Sequence, residues 1–221
     1  MIKQLLFCAL VIGAVMLTGC AQKQTASETI DLFNGEDFTG WKFVVDDDSV
    51  SAEDVWSIKD GVVYCAGAPN GYMMTEESYS NYKLHLEWRW VDEPTNSGVL
   101  LLCQESAEGI FWPTCLECQL QAGNAGDFVL IGPGQITVDD SAYVNEDRFL
   151  VIPKKHESNE KPAGEWNVYD IEVRGNAVAC FVNGLMQNNG IDAAVSSGPI
   201  ALQSEGSPIE FRNIQLTPLA E

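Results

Sequence analysis

The sequence predicts an all-β domain, a sandwich or a barrel, behind a short apolar leader. Three observations carry this. Short runs rich in β-branched and aromatic residues recur along the chain, Gly, Asn, Asp and Pro turns separate them, and nothing beyond the leader sustains a helical apolar period. Asp60-Gly61, between 57–59 and 62–64, is a hairpin turn sequence that accepts two left-handed residues. Gly175-Asn176 joins 171–174 to 177–182, and Asn183-Gly184 marks another tight turn. Further strands are expected at 83–90, 99–103, 115–121, 128–131, 149–152, 200–203 and 210–216. The longest irregular stretch, 153–165, is charged and reads as a surface loop, a length at which loops are often functional. No internal repeat is present.

The leader has a basic start at Lys3, an apolar run over 5–17, and Leu17-Thr18-Gly19-Cys20 at its end. It reads as a signal peptide over 1–19, with Cys20 as the lipidated first mature residue and 20–29 as a polar tether. The domain then spans 30–221, one unit long enough to bury a sizeable core. The apolar run is shorter than the ~20 residues of a spanning helix, so attachment to the membrane is expected through the lipid alone. The expected location is the cell envelope. Ala21 carries no inner-membrane retention signal, which points to the outer membrane, facing the periplasm or the surface. A plain cleaved signal with a coincidental cysteine is the alternative.

Twelve basic against 32 acidic residues give a net charge of −20. A chain so acidic repels phosphate backbones, so no nucleic-acid partner is expected. Cys8 leaves with the leader and Cys20 is used by the lipid, leaving Cys65, Cys103, Cys115, Cys118 and Cys180. Cys115 and Cys118 have motif spacing, but no βαβ pattern surrounds them and no second pair exists for zinc. Buried free thiols are the expectation. Asp46-Asp47-Asp48 and Asp139-Asp140 lack the calcium-loop pattern, and no metal or cofactor is called for.

Alternation decides which side chains meet. In 83–90, Leu84, Leu86, Trp88 and Trp90 should face the core, and Lys83, His85, Glu87 and Arg89 the other side. In 115–121, Leu116, Cys118 and Leu120 point in, while Glu117, Gln119 and Gln121 point out. In 200–205, Ile200 and Leu202 point in, while Gln203 and Glu205 point out. Placed in one sheet, these strands would share a curved polar face of carboxylates, amides, an arginine and a histidine. Sugars suit that mixture, because hydroxyls both donate and accept hydrogen bonds. The ordinary wet face of a sandwich alternates in the same way, with Glu87 and Arg89 merely paired and His85 merely solvated. His156 in the charged loop either reaches over a site or stays in solvent. Trp112, beside Phe111 and before Pro113, either stacks on a sugar or is buried.

A series of short motifs then gathers meaning: 31–41 with Asn34-Gly35 and Gly40-Trp41, Trp56 with Asp60-Gly61, Glu87-Trp88-Arg89, Asn96-Ser97-Gly98 and Glu117 with Gln119. Gly164-Glu165-Trp166-Asn167, Val182-Asn183-Gly184, Leu202-Gln203 and Glu210-Phe211-Arg212-Asn213-Ile214 complete it. In this order, over nearly all of the mature chain, the series resembles the 3-keto-disaccharide hydrolase domain family. The resemblance implies a concanavalin-like, laminin-G-like jelly-roll sandwich of two curved antiparallel sheets, one with a concave face. It also implies action on glycosides whose sugar is oxidised to a ketone at C3. Such a ketone acidifies the C2 proton; a base removes it, the C1 oxygen leaves by elimination, and water adds later, so the net result is hydrolysis. That chemistry needs one base of raised pKa and donors toward the enolate oxygen, not the carboxylate pair of an ordinary glycosidase.

On this reading Glu117 is the expected base, and Arg89 and Gln119 stabilise the enolate or hold the sugar. Glu87, His85, Gln203, Glu205, His156 and Trp112 are the expected substrate-binding residues. Many members of the family carry a histidine just after Leu-Gln; here the stretch is Ser204-Glu205-Gly206, so a histidine role does not transfer. A lectin-like carbohydrate-binding lipoprotein is the alternative, and a structural envelope lipoprotein without a ligand the third.

Overall fold

The computed structural model describes residues 28–220. The leader and the Cys20 signature lie outside them. In chain order the strands are β1 Ile30–Asp31, β2 Trp41–Val45, β3 Trp56–Lys59, β4 Val62–Cys65, β5 Gly71–Thr75, β6 Tyr82–Trp90, β7 Gly98–Gln104, β8 Thr114–Gln119 and β9 Phe128–Ile131. They continue as β10 Gly134–Val138, β11 Ser141–Asn145, β12 Phe149–Ile152, β13 Asn167–Arg174, β14 Ala177–Val182, β15 Leu185–Gly190, β16 Ala201–Ser204 and β17 Ile209–Pro218. One short helix, α1, covers Ala52–Val55.

The strands form two antiparallel sheets. The first has the order β15-β14-β13-β6-β17-β4-β3, with β1 added on β17; the second has the order β12-β9-β8-β7-β16-β5-β2. β10 and β11 form a separate hairpin. The main core lies between the sheets. Tyr82, Leu84, Leu86, Trp88 and Trp90 of β6 all point into it, as alternation requires. They meet Leu116 and Cys118 of β8 and Leu202 of β16 in one buried cluster. Trp88 packs against Tyr169 of β13 at 5.5 Å between ring centres.

A second, smaller cluster lies on the outer face of the second sheet: Tyr72, Leu100, Cys103, Trp112, Cys115, Val129, Ile131 and Ala201. β7 and β9 are apolar on both sides, so each needs cover on both. Phe111 and Trp112, from the 105–113 loop, join the cover over this outer face.

Asp60 and Gly61 both take positive φ, 53° and 75°, as the hairpin turn demands. The strand at 200–203 proves to be Ala201–Ser204. Seven elements fall outside the expected strands: β1, β2, α1, β5, β10, β11 and β15. β2 and β5 are masked by flanking loops, and β15 is Leu-Met-Gln-Asn-Asn-Gly, too polar to read as a strand. The β10–β11 hairpin turns at Asp139 and Asp140, both left-handed without a glycine. All five cysteines among the described residues are free and buried. Cys115 faces the outer cluster and Cys118 the inner one. Burial pushes the Cys65 thiol up to about 11 and drives those of Cys115 and Cys118 well up, so these are packing groups rather than reactive thiols.

Candidate active site on the outer face of the second sheet

β8, β7 and β16 lie side by side in the second sheet. Gln119 pairs with Gly98 and Glu117 with Leu100; Leu202 pairs with Val99, which sets Gln203 on the other flank of Gly98. Glu117, Gln119 and Gln203 therefore share the outer face, across the one position in the row without a side chain. A Cβ on Gly98 would lie 2.1 Å from Glu117 Oε1 and 3.0 Å from Gln203 Oε1. Both oxygens reach into the space that glycine leaves.

These groups are buried polar residues with unmet needs. Glu117 is 3% exposed and Gln203 1% exposed, and neither Glu117 Oε1 nor Gln203 Oε1 has a hydrogen-bond partner among the described residues. A buried polar atom without a partner costs ~1–3 kcal/mol, more when charged, so such atoms point to a functional constraint. Burial drives the Glu117 carboxyl well above the ordinary carboxylate range, and the charge of Glu205 adds to the rise. Glu205 is itself raised by burial and accepts a hydrogen bond from Asn96 Nδ2 at 2.9 Å. Gln119 Oε1 accepts from the backbone N–H groups of Leu120 and Gln121, 3.0 Å each, so its amide is fixed with the NH2 end left to donate elsewhere.

The backbone clamps that hold this cluster are local. Ser97 Oγ donates to Gln203 O at 2.8 Å, locking the start of β7 onto β16. Thr95 Oγ1 accepts from Ser207 N at 2.6 Å, and a Cβ on Gly206 would strike Thr95 Oγ1 at 2.3 Å. The 204–207 turn is thereby pressed onto the 95–97 turn, which brings Glu205 to Asn96. Asn96 and Gly98 are site residues that alternation overlooks. A glycine inside a strand pattern is the available signal, since it marks close approach of another group.

The structure separates residues that the sequence reading joins. His85, Glu87 and Arg89 lie on β6 in the first sheet and face away from the core, on the opposite side of the sandwich from Glu117. Arg89 is not beside Glu117. Its Nε donates to Glu210 Oε2 at 2.5 Å, across the β6–β17 pair. Glu87 accepts from Arg212 Nε and Nη2 at 2.8 and 2.6 Å and from Asn213 Nδ2 at 2.6 Å. Burial pushes the Glu87 carboxyl up, but these hydrogen bonds and the Arg212 charge outweigh it and hold it below its ordinary value. Trp166 takes both guanidinium groups on its ring, Arg89 at 4.6 Å and Arg212 at 4.0 Å from the centroid. His85 Nδ1 and Asp170 Oδ1 are 2.7 Å apart. The physical reason is topological: β6 and β8 alternate in the same way but belong to different sheets.

His156 and Trp112 also fall elsewhere than expected. His156 is exposed in the 153–165 loop, whose flanking residues bond to Gln187 of β15 in the first sheet. Trp112 is 4% exposed and packs on Tyr72 and Phe111, at 6.1 and 5.0 Å between ring centres. It forms part of the wall rather than an open stacking platform. The site thus gathers Glu117, Gln119, Gln203 and Glu205 with Asn96 and Gly98. Among the described residues no group of three His, Cys, Asp or Glu side chains is arranged to hold a metal.

The two-sheet sandwich that buries this carboxylate among amides has the concanavalin-like jelly-roll fold. The chain belongs to the family of 3-keto-alpha-glucoside-1,2-lyase-like domains, which it matches over residues 28–217. Among solved structures it resembles a candidate glycosyl hydrolase from Parabacteroides distasonis, with 23% identity and a TM-score of 0.61 over 87% of this chain and 94% of that one. It also resembles a β-glucanase from Bacillus licheniformis, at 8% identity and a TM-score of 0.55 over 90% of this chain and 100% of that one. A carbohydrate-binding module from Bacillus subtilis follows at 11% identity and 0.54, over 81% of this chain and 96% of that one. These likenesses show the fold. No curated protein matches the chain.

Proposed function

We propose that this protein cleaves 3-keto-glycosides, with Glu117 as the base, at the cell envelope where a lipid on Cys20 would hold it. The observation that carries the reading is the Glu117 carboxylate: buried, without a partner at Oε1, and raised in pKa on a face rich in amides. Membership of the family supports the substrate class. A base is strongest when its pKa lies near the working pH, and burial moves Glu117 in that direction.

In the proposed reaction the ionised Glu117 takes the C2 proton, and the C–H electron pair becomes the C2–C3 double bond of an enolate. The NH2 end of Gln119, left free by the bonds that fix its oxygen, is a donor available to the enolate oxygen. The enolate then re-forms the ketone, the C1–O bond breaks, and Glu117 returns its proton to the departing oxygen. Water adds across the resulting C1–C2 double bond, oxygen to C1 and hydrogen to C2, to release the free 3-keto sugar. Glu205 acts through its charge, which raises the proton affinity of Glu117. Arg89 has no part in this scheme.

The test is release of the aglycone from a 3-keto-glucoside by the purified protein, with the unoxidised glucoside as control. Turnover of the keto substrate alone, with solvent deuterium entering at C2, is the expected result. Binding without turnover on every 3-keto-glycoside tried would replace this reading with a lectin-like one.

A further inference from the structure

The outer face of the first sheet carries a groove that the Glu117 chemistry does not use. It has a volume of about 440 Å³ and runs over β17, β6, β13 and β14, within the ~300–1,000 Å³ usual for small-molecule sites. Cross-strand register builds it. Phe181 pairs with Asp170, and Asp170 with His85, in one row across β14, β13 and β6. Glu172 pairs with Lys83, and Lys83 with Thr217, in the next row across β13, β6 and β17. All six line the groove.

We propose that this groove is a second saccharide-binding site, separate from the Glu117 site and on the opposite side of the sandwich. The lining has the two components a sugar needs. Phe181 is half-buried, with its ring on the outer face, and offers an apolar plane to the C–H face of a pyranose. Around it stand donors and acceptors for hydroxyl groups. Asp170 engages His85 at Nδ1, which leaves Nε2 turned to other partners. Lys83 Nζ and Glu172 Oε2 stand 3.4 Å apart, and Thr217 supplies a hydroxyl.

Charge selects a neutral ligand. The two cationic-type groups already face carboxylates, His85 on Asp170 and Lys83 on Glu172, so the groove has no spare positive charge for an anion. The net charge of −20 repels anions further. The pairings bring Lys83 to Glu172 and His85 to Asp170 before any ligand arrives.

The experiment titrates the purified full chain, carrying Glu117→Gln, with cellobiose, laminaribiose, maltose and their hexasaccharides. It follows heat and the NMR resonances of the His85 and Phe181 rings. Saturable binding is expected to at least one of these, with both rings shifting. Phe181→Ala should weaken it about tenfold or more, while Phe181→Trp keeps it. Phe181 is half-buried on a sheet face, so both variants should fold, and near-identical far-ultraviolet dichroism checks that they do. Absence of saturation by every sugar, or binding that survives Phe181→Ala unchanged, overturns the proposal. Failure of Glu117-dependent turnover leaves it intact, because the two sites share no residue.

Discussion

The two outer faces of this sandwich carry similar residue types and treat them in opposite ways. On the first sheet, every charged group along β6 finds a cross-strand partner: Lys83 on Glu172, His85 on Asp170, Glu87 on Arg212, and Arg89 on Glu210. These side chains remain partly in solvent, with Arg89 34% and His85 37% exposed. On the second sheet the polar groups are fewer and deeper, and Glu117 and Gln203 each leave an oxygen without a partner. A solvated, mutually satisfied ladder contributes little per pair. A buried carboxylate without a partner is held against its own desolvation cost. The difference between satisfied and unsatisfied polarity, rather than the presence of polarity, is what favours the second sheet as the place of the proposed chemistry.

The sharpest way to break this contrast is Glu117→Gln. The amide keeps the shape and removes the base, so turnover of a 3-keto-glycoside should fall about a hundredfold or more while binding persists. Steady-state kinetics beside a direct binding measurement decides it. Turnover near that of the unaltered protein would strip Glu117 of its role and return attention to Glu205.

Next in size is Gly98→Ala. The new methyl would lie 2.1 Å from Glu117 Oε1 and 2.8 Å from Glu117 Cδ, so the carboxylate must move. Overpacking of this kind costs about 1–3 kcal/mol, and displacing a catalytic group by ~1 Å can cost about a hundredfold in rate. A variant that folds and turns over normally would show that the position of Glu117 over Gly98 is immaterial.

The pH dependence of stability sharpens the comparison further. In the folded chain Glu117 holds its proton more tightly than in the unfolded chain. Stability from this group is therefore full below the ordinary carboxylate value and is lost as pH rises through the raised folded one. Each unit of upward displacement corresponds to about 1.4 kcal/mol. Glu117→Gln should accordingly gain melting temperature relative to the unaltered protein as pH increases, and Glu205→Gln should gain less. The acidic limb of the activity profile should also move down in pH in Glu205→Gln, because a neighbouring charge is gone. Parallel melting curves for all three proteins from acid to alkali would contradict the assignment.

The smallest effect is expected on the other face. Arg89→Ala removes a surface ion pair and one guanidinium from Trp166, together worth about 2 kcal/mol at most. Turnover should stay within about twofold, since this face is remote from the chemistry. A large loss of turnover with normal folding would mean that the first sheet takes part in the reaction.

Much of the architecture could be read in advance, and the reasons are local. β6 alternates so regularly that its five inward residues follow from period alone. The Asp60-Gly61 and Asn183-Gly184 turns have residues that tolerate positive φ, and both take it. β15 is opaque because its polar residues are buried by partners far along the chain: Gln187 and Asn188 are fully buried and bonded to the 152–159 segment. The β10–β11 hairpin is opaque because it turns at Asp139 and Asp140 without a glycine. The site was half legible. Glu117, Gln119, Gln203 and Glu205 were correctly set on outward faces, yet Arg89, Glu87 and His85 were joined to them.

By itself the sequence determined the all-β class, the inward and outward face of each regular strand, and the residues from which a sugar site could be drawn. Those properties depend on the two-residue period of a strand and on the φ preferences of turn residues, which are written in neighbouring positions. Only the tertiary structure decided which outward faces coincide. β6 and β8 follow the same alternation, but hydrogen-bond pairing sends one to each sheet, and the core between them puts Arg89 and Glu117 on opposite sides of the molecule. Burial of Glu117, the closeness of Glu205 and the space above Gly98 arise where three strands and two turns from distant parts of the chain meet. No local pattern encodes that meeting, because it is set by sheet order rather than by the residues beside each one.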